Sequence, residues 1–198
     1  MSVRIAVLAS GGGTNLQAIL DFYAQRPSAT AEVALVAANR DSAGALLRAR
    51  AAGIPAEIFD ATDDGGALLN LLERFSIGLV VLAGYLKRIP PSVIAAFHGR
   101  VVNIHPGLLP DFGGAGMYGA RVHAAVLASG ATMTGVTVHL VDDEFDQGPV
   151  IAQWQMRVRI DDTAESLARR VLAIEHLVYP RVVDMVAALN DSEYSADF

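Results

Sequence analysis

Near its start the chain has the apolar stretch Val3-Arg-Ile-Ala-Val-Leu-Ala9, which is followed at once by the turn Ser10-Gly-Gly-Gly-Thr-Asn15. The apolar run predicts a buried parallel strand, and helical spacing over Asn15–Arg26 predicts a helix after the turn, with Thr14 as candidate N-cap. Three glycines let a ligand approach the backbone, and the N–H groups at a helix start attract an anion. Leu16 stands where a dinucleotide fingerprint needs its third spaced glycine, and no lysine follows as in a Walker A loop. The turn therefore favours a monophosphate, or else it is a tight connection that binds nothing.

Outward from this turn, short apolar runs alternate with longer helical patterns. The further predicted strands of the first half are Glu32–Ala38, Ile54–Phe59, Ile77–Ala83 and Arg100–Ile104, and the helices between them are Ser42–Ala52, Gly66–Phe75 and Pro91–Phe97. After Pro106 come a Gly-rich loop, a helix around Val122–Leu127, strands at Thr134–Val141 and Val150–Arg159, and a helix at Thr163–Leu189. This alternation predicts an α/β fold, doubly wound around a mostly parallel central sheet. We expect one domain over residues 1–189 and a polar tail at 190–198.

Composition narrows the class of protein. The chain has 198 residues, no cysteine and a formal net charge of −6. Without cysteine there are no disulfides, thiolate nucleophiles or zinc–thiolate sites, and the composition suits the reducing cytoplasm, where we expect the protein. The acidic balance argues against nucleic acid as a partner, because that binding depends on Lys and Arg. Val122–Val141 lacks charged side chains but contains His, Thr and Gly, so it predicts a helix, a turn and a strand and no membrane span.

Asn103 and His105 are the candidate reactive residues. In an extended strand they point to the same face, at the carboxyl end of a central strand, where open α/β sheets bind ligands. An amide beside an imidazole suits stabilisation of an oxyanion; otherwise the pair caps a strand end. The run Val141–Pro149 has four acids in five positions but not the spacing of a calcium loop, so no metal site is predicted. One of these acids would orient the imidazole and favour its protonated form, and spacing alone does not choose Asp146 over the others.

The remaining polar positions carry weaker signals. His139 lies among valines in a predicted strand and is interpreted as structural or as support for the reactive residues. His98 and His123 show no signal above that of a surface position or a helix face. Glu175, on the last helix, either accepts hydrogen bonds from sugar hydroxyls or lies on a solvated helix face.

Several motifs then occur in one order along the chain. They are Ser10–Asn15, Leu82-Ala-Gly-Tyr85, Asn103-Ile-His105-Pro106 with Leu108-Leu-Pro110, Thr134–His139, Asp142–Pro149 and Glu175-His176-Leu-Val-Tyr-Pro180. Together they resemble the phosphoribosylglycinamide formyltransferases, the folate-dependent enzymes of purine synthesis. The Asn-x-His and Asp set is shared by several folate formyltransferases and hydrolases, whereas the phosphate turn and the Glu-His ending point to this family.

The resemblance implies transfer of a formyl group from 10-formyltetrahydrofolate, a cosubstrate, to the amine of glycinamide ribonucleotide. The catalytic set that it implies is Asn103, His105 and Asp146. The ribonucleotide would meet Gly13, Thr14, Asn15, Leu172, Ala173, Ile174 and Glu175. The folate would meet Leu86, Lys87, Arg88, Ile89, Asn103, Asp142, Asp143, Glu144, Phe145 and Asp146. The partners are then small molecules, and the long apolar last helix is compatible with a homodimer.

Three positions depart from the family pattern. Gly107 stands where members usually carry Ser, Asp63–Gly66 lacks a basic residue often found there, and Phe112–Tyr118 is unusually rich in glycine. Because the acceptor's primary amine is itself a nucleophile, the expected route is direct attack through a tetrahedral oxyanion. The alternatives are a formyltetrahydrofolate hydrolase and a non-catalytic nucleotide-binding protein of the same fold.

Overall fold

The computed structural model describes residues 2–26 and 30–194 of the chain. Within them the strands are β1 (Val3–Ala9), β2 (Ala31–Ala38), β3 (Ala56–Ile58), β4 (Leu79–Leu82), β5 (Val101–His105), β6 (Met133–Leu140) and β7 (Val150–Arg157). They form one sheet in the order β3-β2-β1-β4-β5-β6-β7. The pairs among β1 to β5 are parallel, and β6 and β7 are antiparallel to their neighbours. The predicted α/β class with a doubly wound, mostly parallel sheet is confirmed.

Helices cover both faces of the sheet. They are α1 (Thr14–Ala24), α2 (Gly44–Ala51), α3 (Gly66–Arg74), α4 (Pro91–Ala96), α5 (Ala120–Ala128) and α6 (Ala164–Tyr194). Alternate residues of β1 enter different cores: Val7 packs in the layer of α1 and α6, and Leu8 packs in the layer of α3 and α4. A strand with both faces buried needs apolar side chains at every position. This explains the apolar run Ile5–Ala9 within the predicted strand, all five residues of which are buried.

The turn after β1 requires glycine at one position. Gly13 has φ +74°, and a Cβ there would lie 2.8 Å from the Cα of Ala45 in α2. Gly13 is also the N-cap of α1, and no side chain caps this helix. The prediction of Thr14 as the N-cap is therefore wrong, because Thr14 is already the first helical residue after the left-handed glycine.

Many predicted element ends differ from the observed ends, and β3 and α6 are two examples. β3 covers three residues, Ala56–Ile58, because it lies at the sheet edge and pairs only with β2. α6 continues to Tyr194, past the predicted end at Leu189, so the predicted tail begins as helix. Residues 195–198 lie outside the described residues, and the division into 1–189 and 190–198 stays a prediction. None of the described helices combines the length and the apolar composition that a membrane crossing needs.

Candidate active site

The Gly-rich turn and the carboxyl end of β5, which carries the candidate residues Asn103 and His105, lie at the same edge of the sheet. β2 and β3 lie on one side of β1, and β4 and β5 lie on the other, so the winding reverses beside the carboxyl end of β1. Ligands of open α/β sheets bind at such a switch point. A cleft of about 410 Å³ runs here, and its lining includes Asn15 from the turn, Asn103 and His105 from β5, and Asp146.

The Asn103 amide is oriented by a histidine on the neighbouring strand. His139 of β6 is the cross-strand partner of Asn103. Its Nδ1 lies 2.7 Å from the carbonyl oxygen of Leu140, which only accepts, so Nδ1 carries the proton. With the proton on Nδ1, Nε2 accepts from Nδ2 of Asn103 at 3.1 Å. The second N–H of the Asn103 amide remains available to a substrate oxygen.

Asp146 joins the two histidines. Its Oδ2 lies 3.5 Å from Nδ1 of His105, and its Oδ1 lies 3.5 Å from Nε2 of His139. Oδ2 also accepts from the Gly114 N–H at 3.0 Å. Asp146 adopts a positive φ of 58°, which is uncommon for a residue other than glycine. Among the acids of residues 142–146, Asp146 is the one that reaches the histidines, so the structure brings the predicted catalytic set together.

Burial controls the charge states of this cluster. Burial lowers the pKa of His105, which is 3% exposed, and outweighs the opposing effect of the Asp146 carboxylate. Burial by itself raises the pKa of Asp146, but the neighbouring His139 and His105 and the N–H of Gly114 bring it below its ordinary value. Asp146 thus acts on the imidazole in the predicted direction. A protonated His105 stays a prediction, and burial opposes it by lowering the pKa of the imidazole.

The Gly-rich segment 106–119 covers the reactive residues. Nε2 of His105 lies 2.7 Å from the carbonyl oxygen of Phe112 and donates to it. The Gly114 N–H on the same segment donates to the Asp146 carboxylate. The segment therefore holds both members of the His–Asp pair through its backbone, a contact that the sequence did not reveal.

Helix α6 connects the turn to the strand ends. Nδ2 of Asn15 donates to Oε2 of Glu175 at 2.6 Å. Glu175 is buried, and this burial raises its pKa against the opposing hydrogen bond from Asn15. One turn further along α6, the buried Tyr179 hydroxyl lies 2.8 Å from the carbonyl oxygen of Leu82 and 3.1 Å from that of Val102. These contacts fix α6 against the ends of β4 and β5.

Most residues predicted to meet the two substrates line the one cleft. They are Asn15, Leu172 and Glu175 for the ribonucleotide, and Leu86, Lys87, Arg88, Ile89, Asn103, Asp142, Glu144, Phe145 and Asp146 for the folate. These side chains therefore line the same cleft, and their roles in binding the two substrates stay predictions.

Five predicted binding residues do not line this cleft. Gly13 is buried behind the turn, and Thr14 faces a neighbouring cleft between α1 and α6. Ala173 is exposed and Ile174 packs against the core, because α6 directs only the face of Leu172 and Glu175, three residues apart, into the cleft. Asp143 instead accepts from Arg88 through its backbone carbonyl.

Two buried histidines surround the candidate reactive residues. His139, interpreted from the sequence as structural or supporting, contacts both the Asn103 amide and the Asp146 carboxylate. His123 on α5 is 4% exposed and lines the cleft, and burial, followed by the charge of His105, lowers its pKa. The alternation of Thr137 and His139 with valines was a usable signal, because it marks a polar face on β6. In the part of the chain that the structure describes, no group of three or more His, Asp or Glu side chains could hold a metal ion.

Several known proteins are similar to this chain in sequence and in fold. Residues 3–183 match the family model described as formyl transferase. A phosphoribosylglycinamide formyltransferase of Bacillus subtilis is 33% identical over 95% of this chain and 96% of its own length. A solved glycinamide ribonucleotide transformylase from Symbiobacterium toebii matches with a TM-score of 0.86 and 39% identity, over 94% of this chain and 88% of that one. The chloroplastic phosphoribosylglycinamide formyltransferase of Arabidopsis thaliana is 42% identical over 92% of this chain, which spans 65% of that relative's length.

The chain therefore belongs to the formyl transferase family. Within that family it is a member of the phosphoribosylglycinamide formyltransferases, as its relatives of matching length are named. The resemblance drawn from the motifs is confirmed.

Proposed function

We propose that the chain transfers the formyl group of 10-formyltetrahydrofolate to the amine of glycinamide ribonucleotide. One observation carries the proposal: a single cleft is lined both by the Asn15–Glu175 pair beside the Gly-rich turn and by the amide–imidazole–carboxylate cluster. A phosphorylated amine held at the turn would reach a carbonyl carbon held at Asn103 and His105. The names of the relatives support the same reaction.

The reaction needs no nucleophile from the protein. The neutral amine of the ribonucleotide attacks the formyl carbon, a C–N bond forms, and the carbonyl electron pair moves to oxygen. Collapse of this tetrahedral oxyanion breaks the bond to the folate nitrogen, which takes up the proton lost by the amine. The free N–H of Asn103 and the imidazolium of His105 stabilise the oxyanion, and Asp146 favours the charged imidazole and supports the proton transfer.

Two contacts determine how the N–H groups of Asn103 and His105 are oriented toward the substrate. His139 accepts one N–H of Asn103 and thereby directs the other, which makes His139 a positioning residue. The Nε2–H of His105 donates to Phe112 in the structure, so we expect a substrate oxygen to replace this carbonyl as the acceptor.

The folate would occupy the part of the cleft between two chain segments. Leu86 and Phe145 are 48% and 42% exposed there, and such apolar side chains suit a flat aromatic ring. Arg88 and Glu144 form an ion pair at 3.3 Å that links the two segments. Gly13, Thr14 and Asn15 would hold the phosphate of the ribonucleotide through backbone N–H groups.

The decisive experiment follows formyl-folate consumption by the purified chain with and without glycinamide ribonucleotide. Consumption only with the ribonucleotide supports transfer. Consumption without it supports the hydrolase, and no consumption in either case supports the non-catalytic nucleotide-binding protein.

The role of His105 is tested by His105→Ala, with His98→Ala as the matched control because His98 is exposed. We expect His105→Ala to lower kcat by about 10²–10³ and to leave ribonucleotide binding unchanged, since one oxyanion donor is lost. Turnover near that of the unmutated chain would show that His105 is not catalytic.

We also propose that the chain acts in the cytoplasm, on small molecules and without a metal. Its cysteine-free, acidic composition supports this location and these partners. Fractionation of the source cells tests the location, and full activity in the presence of a chelator is the expected result for the metal. The homodimer stays a prediction, which sedimentation equilibrium tests.

A further inference from the structure

The Gly-rich turn is braced from one side by the segment between β2 and α2 and the first part of α2, residues 39–48, called here the β2–α2 arm. Three successive carbonyl oxygens of the turn accept hydrogen bonds from this arm: Ser10 O from Nε of Arg40 at 2.6 Å, Gly11 O from the Ala45 N–H at 3.1 Å, and Gly12 O from Nε of Arg48 at 2.8 Å. Two of the three donors are guanidinium groups from side chains 8 residues apart on the arm.

These bonds determine where the N–H groups of the turn point. In a planar trans peptide, the C=O of one residue and the N–H of the next are directed to opposite sides. Because the three carbonyls point toward the arm, the N–H groups of Gly11, Gly12 and Gly13 point away from it. The Gly13 carbonyl accepts from Gln17 inside the helix, which aligns the next N–H with the start of α1.

The aligned N–H groups are available to a ligand. In residues 2–26 and 30–194, the N–H groups of Gly11, Gly12, Gly13 and Thr14 have no hydrogen-bond partner. Gly12 and Thr14 are exposed. Successive unpaired backbone N–H groups at the start of a helix form an anion-binding site. They bind the anion most strongly when they all point in the same direction.

We infer that Arg40 and Arg48 are positioning residues for the phosphate of the ribonucleotide. They hold the peptide groups of the turn in the orientation that presents the N–H groups of the exposed Gly12 and Thr14 to the anion, and this inference rests on the proposed function. Arg48 also donates to Oε1 of Gln17 at 3.0 Å, so the planar guanidinium fixes the turn and the first turn of α1 together. Neither residue touches the reactive cluster.

Steady-state kinetics provides the first test, with Arg48→Met and Arg40→Met as variants. We expect the KM for the ribonucleotide to rise about tenfold in each, while kcat changes less than about twofold and the KM for formyl-folate is unchanged. Arg50→Met is the matched control, because Arg50 lies on the same helix, is exposed and makes no contact with the turn. An equal rise in Arg50→Met would overturn the inference in favour of long-range charge attraction, and so would no rise in the two variants.

Amide resonances provide a test that does not depend on catalysis. Gly12 O and the Gly13 N–H belong to one peptide group, so Arg48→Met is expected to shift the Gly13 amide, whereas Arg40→Met shifts that of Gly11. Titration with inorganic phosphate is expected to move the Gly11–Thr14 amides in the unmutated chain and about tenfold more weakly in Arg48→Met. Arg48→Lys, which keeps the charge and one donor, is expected to restore part of the affinity. Identical phosphate titrations in the unmutated chain and both variants would overturn the inference.

The two tests separate the inference from the proposed function. If phosphate binding at the turn depends on Arg40 and Arg48 but no formyl transfer occurs, the proposed function fails and the positioning role stands. If transfer occurs and neither variant changes the KM for the ribonucleotide, the proposed function stands and the positioning role fails. Thermal unfolding of each variant confirms that the kinetic comparison is made between folded chains.

Discussion

Replacing Asp146 by asparagine removes one negative charge and keeps the size of the side chain. The carboxylate lies 3.5 Å from a nitrogen of each of two histidines, His105 and His139. At an effective dielectric constant of roughly 20, a unit charge pair at this separation interacts by about 5 kcal/mol. The asparagine oxygen still accepts from Gly114, so only part of this interaction is lost. We expect a transition-state loss of about 3–4 kcal/mol, which corresponds to a fall in kcat of about 10²–10³.

The same substitution changes the pH dependence in a defined direction. The carboxylate of Asp146 raises the pKa of His105 against the larger lowering effect of burial, so the pKa falls further in Asp146→Asn. The proposed mechanism needs charged His105. Activity is therefore present below the His105 pKa and is lost as the pH rises through it. In the variant this loss is expected at lower pH than in the unmutated chain.

The assay measures kcat at saturating concentrations of both substrates across the pH range. Asp161→Asn is the control, because Asp161 is exposed and lies outside the cleft. A pH profile of Asp146→Asn that coincides with the profile of the unmutated chain, with kcat within about threefold, would refute the role of Asp146 as the partner of His105.

Three further substitutions test the surroundings of the site. Tyr179→Phe deprives two buried carbonyl oxygens of their shared hydroxyl, so we expect a loss of about 1–3 kcal/mol and a Tm lower by roughly 3–10 °C; an unchanged thermal unfolding curve would contradict this. Glu175→Gln removes a buried charge and keeps an acceptor for Asn15, and since the raised pKa of Glu175 makes its ionised form costly, the Tm should rise by about 2–4 °C at pH 7 and not below about pH 4, while the KM for the ribonucleotide increases. An equal gain at both pH values would argue against a buried charge as the cause. Gly148→Ala places a Cβ 2.0 Å from the carbonyl oxygen of Leu140, so the loop must shift and kcat should fall at least about tenfold together with the Tm; full activity would show that the loop adapts.

The parts of the fold that were predicted from the sequence are those with a local cause. β1 was found with its observed ends, Val3–Ala9, because Ile5–Ala9 are buried on both faces and are all apolar. The shared face of Asn103 and His105 follows from the two-residue period of a strand and needs no knowledge of the tertiary structure. Asp146 was chosen through the family resemblance, since all four acids of residues 142–146 carry the same local signal.

The parts that were missed depend on distant segments. The position of His139 opposite Asn103 is a consequence of the register between β5 and β6, which is set by the tertiary fold and not by the spacing of either strand. The pKa of His105 depends on its burial, and the covering segment 106–119 adds a contact with the carbonyl oxygen of Phe112, a backbone group that any residue could provide. Side-chain identity alone therefore indicates a candidate reactive group but not the direction in which its pKa shifts.

The change of strand direction after β5 explains why the reactive cluster forms where it does. Because β6 is antiparallel, His139 lies two residues further along the chain than Thr137 yet pairs with Asn103, which precedes His105. The chain then leaves β6 and returns to the cluster with Asp146, within a connection of nine residues before β7 begins at Val150. The parallel half of the sheet thus provides the turn with the unpaired N–H groups, and the antiparallel return places a histidine and a carboxylate beside the amide and imidazole of β5, as the proposed acyl transfer requires.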